Sequence, residues 1–139
     1  MANEAVLMRE LELPVSFTCD DSTGIEKGAI LKLTDPNTCA LSAATNDEIA
    51  GIASQEKIAS NGQTKIAVYT RGDFKLVASG SITVGDPVGS AATTGSNTVK
   101  TLVGVANLSG NCVLGIAKET ATTGQTLRVE LKPQALTTA

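Results

Sequence analysis

An internal duplication constrains the fold of this chain more than any other feature of its sequence. Each half contains an Ile-x-x-Gly segment, a Gly-Ile-Ala step, a Gly-Gln-Thr turn and then a valine. Three pairs of glycines mark the equivalent positions: Gly28 and Gly85, Gly51 and Gly115, Gly62 and Gly124. A glycine beside small apolar residues lets two backbones approach closely, and the Gly-Gln-Thr turn supplies a positive φ. The repeat therefore predicts a closed or nearly closed small β-barrel.

The N-terminal segment predicts an extended arm with an apolar face. Over residues 11–18 apolar and polar side chains alternate strictly, which is the pattern of a β-strand. Pro14 has no backbone N–H to donate, so we expect this strand at a sheet edge or along the surface of a partner. The apolar side chains that we expect to contact a partner are Leu7, Met8, Leu11, Leu13, Val15 and Phe17.

Further β-strands follow from the same kind of pattern. The segments are 28–34, 64–69, 74–78 and 127–132. Residues 70–73 contain the Gly and Asp of a hairpin loop, so we expect the second and third segments to pair with each other. The last segment is the clearest, because three apolar residues alternate with three charged ones before Pro133 ends it.

The chain of 139 residues has the size of one domain with one core. Only Phe17, Tyr69 and Phe74 are aromatic, so the core must consist of small aliphatic side chains supported by a dense backbone ladder. Two stretches, 2–12 and 54–60, are compatible with helix but short, and they do not change the class. The predicted fold is all-β: a small single-domain β-barrel or β-tulip with an internal duplication and an extended N-terminal arm. We expect an arm and edge strand at 1–20, a barrel domain at 21–133 and a tail at 134–139.

The composition excludes most catalytic and metal-binding chemistry. The chain has no histidine, which removes Ser-His-Asp and Cys-His arrangements and the commonest metal ligand. Its cysteines, Cys19, Cys39 and Cys112, form no Cys-x-x-Cys pair and are interpreted as small buried hydrophobes. We therefore predict no enzyme activity, no cofactor and no metal. The remaining carboxylates lie beside turn-forming residues, which favours solvated turns over acid–base catalysis: Asp20, Asp21, Asp35, Asp47, Glu48 and Asp86.

The charge distribution gives no sign of a nucleic-acid or membrane partner. The formal net charge is -3, and the eleven Lys and Arg residues are spread singly. No stretch approaches the roughly 20 apolar residues of a membrane span, and the first residues lack the pattern of a secretory signal. We expect synthesis in the cytoplasm of a host cell.

The order of these parts resembles a family of small capsid decoration, or cement, proteins of tailed bacteriophages. The resemblance spans about residues 24–132 and is carried by the runs 82–88, 113–117 and 124–129. It implies a β-barrel or β-tulip that oligomerises, commonly as a homotrimer, on the outside of the virion head. There it would clamp neighbouring major capsid subunits together against the pressure of packaged DNA. The expected partners are thus the major capsid protein and further copies of this chain.

Two other functions remain open on the sequence alone. A surface adhesion or carbohydrate-binding module would use loops such as Gly89 to Thr98 or the tripeptide Arg71 to Asp73. Exposed at a hairpin tip, this Arg-Gly-Asp sequence would resemble an adhesion motif, although an ordinary tight turn is the more economical interpretation. An enzyme acting through paired carboxylates would require Asp20, Asp21 and Asp86.

Overall fold

The computed structural model describes residues 3–45, 47–91, 97–105, 110 and 112–135. All regular structure in these residues is β, which confirms the predicted class. The strands are β1 (Val6–Glu10), β2 (Val15–Thr18), β3 (Ile30–Asp35), β4 (Thr38–Leu41), β5 (Ile49–Ala53), β6 (Lys65–Tyr69), β7 (Gly72–Ala78), β8 (Pro87–Ser90), β9 (Thr98–Thr101), β10 (Val113–Ala117) and β11 (Thr126–Gln134).

Each copy of the repeat forms its own closed five-stranded barrel, whereas the sequence predicted one barrel from both copies. The first barrel has the strand order β2-β4-β3-β5-β6, and β6 pairs back to β2. The second has the equivalent order β7-β9-β8-β10-β11, and β11 pairs back to β7. In both barrels one parallel pair, β2 with β4 and β7 with β9, joins strands that are otherwise antiparallel. The duplication in sequence is therefore a duplication of topology.

The backbone hydrogen bonds confirm the alignment of the two copies. Ile25 exchanges two hydrogen bonds with Lys57, and Ile82 exchanges the same two with Ala121. Three residues after each isoleucine, a glycine N–H donates to the last residue of the Gly-Ile-Ala step, over 2.9 Å in the first copy and 2.8 Å in the second. In each barrel the Ile-x-x-Gly segment is thus hydrogen-bonded to the end of the Gly-Ile-Ala strand, β5 in the first barrel and β10 in the second.

The two barrels share a core at their contact. Ile30, Ile49 and Ile52 of the first barrel pack in one buried cluster with the interior of the second. Two buried serines, Ser42 and Ser90, meet across this contact with their hydroxyl oxygens 2.6 Å apart. The remaining interior of the first barrel forms a separate cluster of small aliphatic side chains and cysteines. The chain has only three aromatic residues, so burial of aliphatic surface must hold the two barrels together.

The strand after Tyr69 differs from the sequence prediction. β6 and β7 were expected to form a hairpin, but β6 pairs with β2 and β5 while β7 pairs with β1, β9 and β11. Only two residues separate them, and the chain uses this link to pass from one barrel to the other. Tyr69 and Phe74 flank the link with ring centroids 5.6 Å apart in an edge-to-face contact.

The two ends of the chain also differ in detail from the pattern. Residues 6–10 form a strand, not a helix, and the strand predicted over 11–18 begins only at Val15. At the other end Leu127, Val129 and Leu131 are fully buried as predicted. β11 nevertheless continues through Pro133, which lies where the register against β10 shifts between the Val113–Gln134 and Gly115–Leu131 pairs, a place that tolerates a missing N–H.

Candidate interaction surface

The N-terminal arm presents most of its apolar residues to solvent. Leu13 is 76% exposed and Val6 58%, and every residue of β1 is exposed. Of the side chains predicted from the sequence, only Phe17 turns inward, where it packs against the core of the first barrel. We call the exposed apolar side chains of the arm the arm surface: the predicted Leu7, Met8, Leu11, Leu13 and Val15, and Val6, which the sequence analysis did not include. Several large apolar side chains exposed along one short segment are a feature of interaction sites.

The arm is held across both barrels by backbone pairing. The Ala5 N–H donates to the carbonyl of Gly28 in the first barrel over 2.9 Å. β1 then pairs with β7, along the part of that strand that β9 leaves uncovered. β1 is the first strand of a six-stranded sheet, so one of its edges is open within the described part of the chain. An open edge beside exposed apolar side chains is suited to pairing with an added strand.

A buried carboxylate fixes the arm to the second barrel. Asp73 in β7 is 6% exposed, and its Oδ2 lies 3.1 Å from Arg9 of β1 and 3.3 Å from Arg128 of β11. Its Oδ1 and the Nε of Arg128 are buried without a hydrogen-bond partner within the described residues. Both arginines remain open to solvent on one side, at the wall of a charged cleft of about 730 Å³. Arg71 thus lies in the link between the barrels and Gly72 and Asp73 begin β7, so the Arg-Gly-Asp tripeptide does not lie at an exposed hairpin tip.

We expect Asp73→Asn to loosen the arm. The amide cannot neutralise two arginines, so the free energy of unfolding should fall by about 1–2 kcal/mol, a modest value because both partners are solvent-exposed. Amide exchange over residues 6–10 should accelerate more than exchange in the first barrel. Glu12→Gln is the matched control, because the Glu12 side chain is exposed and its carboxylate lies 3.9 Å from Arg71. Equal destabilisation by both changes would mean that Asp73 does not anchor the arm.

A shallow apolar groove lies beside the arm surface. Ala5, Val6 and Leu7 line it together with Lys27 and Tyr69, and its volume is about 350 Å³. Burial raises the pKa of Tyr69, and a hydrogen bond to Glu10 raises it further, so the hydroxyl remains a hydrogen-bond donor at neutral pH. The groove therefore offers apolar contact beside two polar side chains, those of Lys27 and Tyr69.

The six repeat glycines form three pairs with different constraints. Gly62 and Gly124 adopt φ values of 88° and 85° in the turns where a positive φ was expected. Gly51 and Gly115 lie in β5 and β10, where a Cβ would collide with the carbonyl oxygens of Tyr69 and Glu130 respectively. Gly28 and Gly85 share a positive φ, but only Gly28 lies under the arm, where a Cβ would meet the Ala5 oxygen at 2.6 Å.

The turn carboxylates bond to the backbone around them. Asp20 Oδ1 accepts from the N–H of Ser22 at 2.9 Å, and this bond lowers the pKa of Asp20. Asp21 accepts from the Gly62 N–H at 2.7 Å, and Asp86 from the Thr83 N–H at 3.0 Å. Within the described ranges, no group of three or more Cys, Asp or Glu side chains could hold a metal ion. The contacts of Asp20 and Asp86 are local, as expected of turn residues, whereas Asp21 bonds to a glycine 41 residues away.

Two charged residues with structural roles escaped the sequence analysis. Asp73 was interpreted as a loop residue, although its position beside a strand of alternating hydrophobicity was visible. Lys57 was part of a helix-compatible stretch, but it is 2% exposed and its Nζ donates to the carbonyls of Asp21 and Thr23 over 2.7 and 2.9 Å. Its equivalent in the second copy is Ala121, so the repeat itself held no signal for this lysine.

Some predicted features lie beyond what the structure describes. Of the loop Gly89 to Thr98, residues 92–96 are outside the described residues, as are residues 136–139 of the predicted tail. In the part of the chain that is described, no helix is long and apolar enough to cross a membrane.

Two duplicated five-stranded barrels with an added N-terminal edge strand define the fold class of this chain. No protein-family model and no curated protein sequence matches it. Among solved structures it is similar to the N base of the head fiber gp8.5 in bacteriophage phi29, with a TM-score of 0.54 and 19% sequence identity. The match covers 90% of this chain and 99% of that chain. At this identity the similarity shows a common fold that includes both barrels.

Proposed function

We propose that this chain is a structural protein of a bacteriophage virion that binds the outside of the head and cements neighbouring major capsid subunits. The observation that carries the proposal is the fold similarity to the base of a phage head fiber, which extends over nearly the whole of both chains. The order of sequence motifs supports it independently, because that order resembles capsid decoration proteins. A non-enzymatic role agrees with carboxylates that are used to hold turns.

The arm surface is the proposed contact with the capsid. Its apolar side chains are exposed on an element that the barrels hold in place, so binding does not have to order a free segment. The open edge of β1 adds backbone groups that a capsid strand would pair with. The chain lacks tryptophan, the strongest of the usual interface anchors, so a single copy should bind weakly. A homotrimer that contacts several capsid subunits would gain affinity through effective concentration.

Binding to heads is the direct test of this proposal. Light scattering should show an oligomer of the purified protein and saturable binding, in a fixed ratio, to expanded empty heads of the source phage. Heads that carry the protein should also withstand higher temperature or osmotic shock, because a ligand of the expanded lattice stabilises it by mass action. Saturable binding without added robustness would support a head-binding protein but contradict the cementing role. No binding to heads, together with binding on a glycan array, would reject the proposal in favour of an adhesion module.

The arm surface is tested by a triple serine variant. We expect Val6→Ser/Met8→Ser/Leu13→Ser to weaken head binding at least about tenfold, since each side chain exposes apolar area that a contact would bury. The matched control is Ile58→Ser/Val84→Ser/Val103→Ser, which removes three side chains exposed to a similar degree elsewhere on the molecule. Similar loss in both variants, or loss only in the control, would place the capsid contact away from the arm.

A further inference from the structure

Each barrel closes through a parallel pair of strands, which we call its seam. The second seam has two residue pairs, Val77 with Thr98 and Ala78 with Val99. The first seam has one pair, Thr18 with Thr38, supported by a hydrogen bond from the Thr18 N–H to the Asn37 carbonyl over 2.8 Å. The first seam is therefore the shorter of the two and has less backbone pairing to keep it closed.

The residues that follow the first seam are both cysteines. Cys19 comes directly after Thr18, and Cys39 directly after Thr38. The equivalence of the two barrels relates Cys19 to Ala78, because their N–H groups donate to Thr64 and Gln125, the residues that precede β6 and β11. In the second barrel Ala78 is paired with Val99. The two cysteines thus occupy the place of a directly paired residue couple.

Their side chains face the same interior. Cys19 is 3% exposed and Cys39 is 2% exposed, and both belong to the core cluster of the first barrel. Residues paired across neighbouring strands have Cα atoms roughly 5 Å apart, within the range that a disulfide spans. Burial raises the pKa of the Cys39 thiol to about 11, and the neighbouring Cys19 contributes to the rise. Cys112 belongs to a different cluster, with Leu102 and Val113.

We propose that Cys19 and Cys39 are an oxidation site whose disulfide closes the seam of the first barrel. The co-reactant is a small disulfide such as oxidised glutathione. One cysteine attacks it as the thiolate, forms a mixed disulfide and releases one glutathione; the second cysteine then attacks the mixed disulfide and releases the other. Two electrons pass from the protein thiols to glutathione, and the two thiol protons end on the two glutathione molecules. The proposal is independent of the function proposed above.

The closed barrel limits the rate of this reaction. At pH 7 the raised pKa keeps the Cys39 thiol protonated, and neither thiol is open to solvent. Exchange with a dissolved disulfide therefore requires the seam to open. A seam of one residue pair makes such opening local, because β2 and β4 keep their other partners, β6 and β3.

The test is oxidation of the full chain by oxidised glutathione in urea below the unfolding midpoint, followed by alkylation in strong denaturant and mass determination. Two of the three thiols should become resistant to alkylation, and digestion should yield a peptide that links Cys19 to Cys39. The oxidised protein should melt about 5 °C or more above the reduced protein, because the cross-link restricts the unfolded chain. Cys112→Ser should behave like the natural sequence, whereas Cys39→Ser should gain no stability on oxidation.

Three outcomes would overturn the proposal. All three thiols remain alkylatable after prolonged oxidation, or the linked peptide contains Cys112, or the Cys19–Cys39 link forms but lowers the melting temperature. Ala78→Cys/Val99→Cys, made in a variant with serine at the three natural cysteines, provides a reference for how readily a seam position oxidises.

Discussion

Substitution of Gly115 by alanine is expected to destabilise this protein by about 3 kcal/mol. β10 is a central strand between β8 and β11, and a Cβ at position 115 would collide with the Glu130 carbonyl oxygen while lying 3.2 Å from the Leu131 Cα. Both neighbours are backbone, so no side-chain rotation relieves the overlap. The strands must separate, which breaks part of the ladder that closes the second barrel. Urea denaturation measures the change, and the midpoint should fall sharply.

Gly85→Ala is the control for this experiment. Gly85 also has conformational constraints, with φ 92°, but no heavy atom lies within 4 Å of its potential Cβ. The cost there should be about 1 kcal/mol, from the left-handed backbone alone. Gly51→Ala should resemble Gly115→Ala, since its Cβ would collide with the Tyr69 carbonyl in the equivalent place of the first barrel. A Gly115→Ala protein as stable as Gly85→Ala would show that the strands do not approach so closely.

Replacement of Lys57 by methionine should cost about 3 kcal/mol as well. The Lys57 Nζ donates to the carbonyls of Asp21 and Thr23, with a longer contact of 3.4 Å to Ile58. Methionine fills a similar volume but donates no hydrogen bond, so the Thr23 carbonyl loses the Nζ donor and the Asp21 carbonyl keeps only its bond from the Ser60 N–H. The loop around residues 20–24 would then lose the side-chain part of its attachment to the segment around Lys57 and keep the backbone hydrogen bonds of Ile25 with Lys57 and of Ser60 with Asp21. The free energy of unfolding from urea titration reports the loss.

Lys65→Met controls for the removal of a lysine as such. Lys65 is exposed in β6, and its replacement should change stability by less than about 0.5 kcal/mol. Amide exchange supplies a second measurement, because only Lys57→Met should accelerate exchange at the Gly62 N–H, which donates to Asp21. Equal stability of the two variants would contradict a structural role for the buried amine.

The fold class could be predicted from the repeat because strands and turns are determined by residues close together in sequence. A strand such as β11 is recognisable by alternating apolar and polar residues, since one of its faces packs on the core and the other faces water. The turns at Gly62 and Gly124 are recognisable because glycine tolerates a positive φ. The exposed apolar residues of the arm were likewise identified from their pattern, although their contact with a capsid stays a prediction. Each of these features is decided within a few neighbouring residues.

The features that sequence analysis missed are decided between distant residues. Nothing in residues 64–78 tells whether β6 and β7 pair with each other or with strands of different barrels. Pairing of β6 with β7 would have made a hairpin. Pairing within separate barrels is favoured because each strand has a full set of partners in its own copy of the repeat. The structural roles of Asp73 and Lys57 were missed for the same reason. Arg9, a partner of Asp73, lies 64 residues away in sequence, and Asp21, a partner of Lys57, lies 36 residues away. The two-barrel arrangement is therefore a property of long-range pairing.

The position of β1 sets an order for synthesis on the ribosome. Every strand of the first barrel lies within residues 15–69, so this barrel has all its pairing partners before the second barrel has been translated. β1 precedes it in the chain, yet its partner β7 begins at Gly72, and β7 completes its own barrel only with β11. Residues 6–10 thus leave the ribosome before the first barrel but find their partner strand only after it. Until then a nascent chain carries an unpaired apolar strand, the kind of segment that aggregates or recruits chaperones.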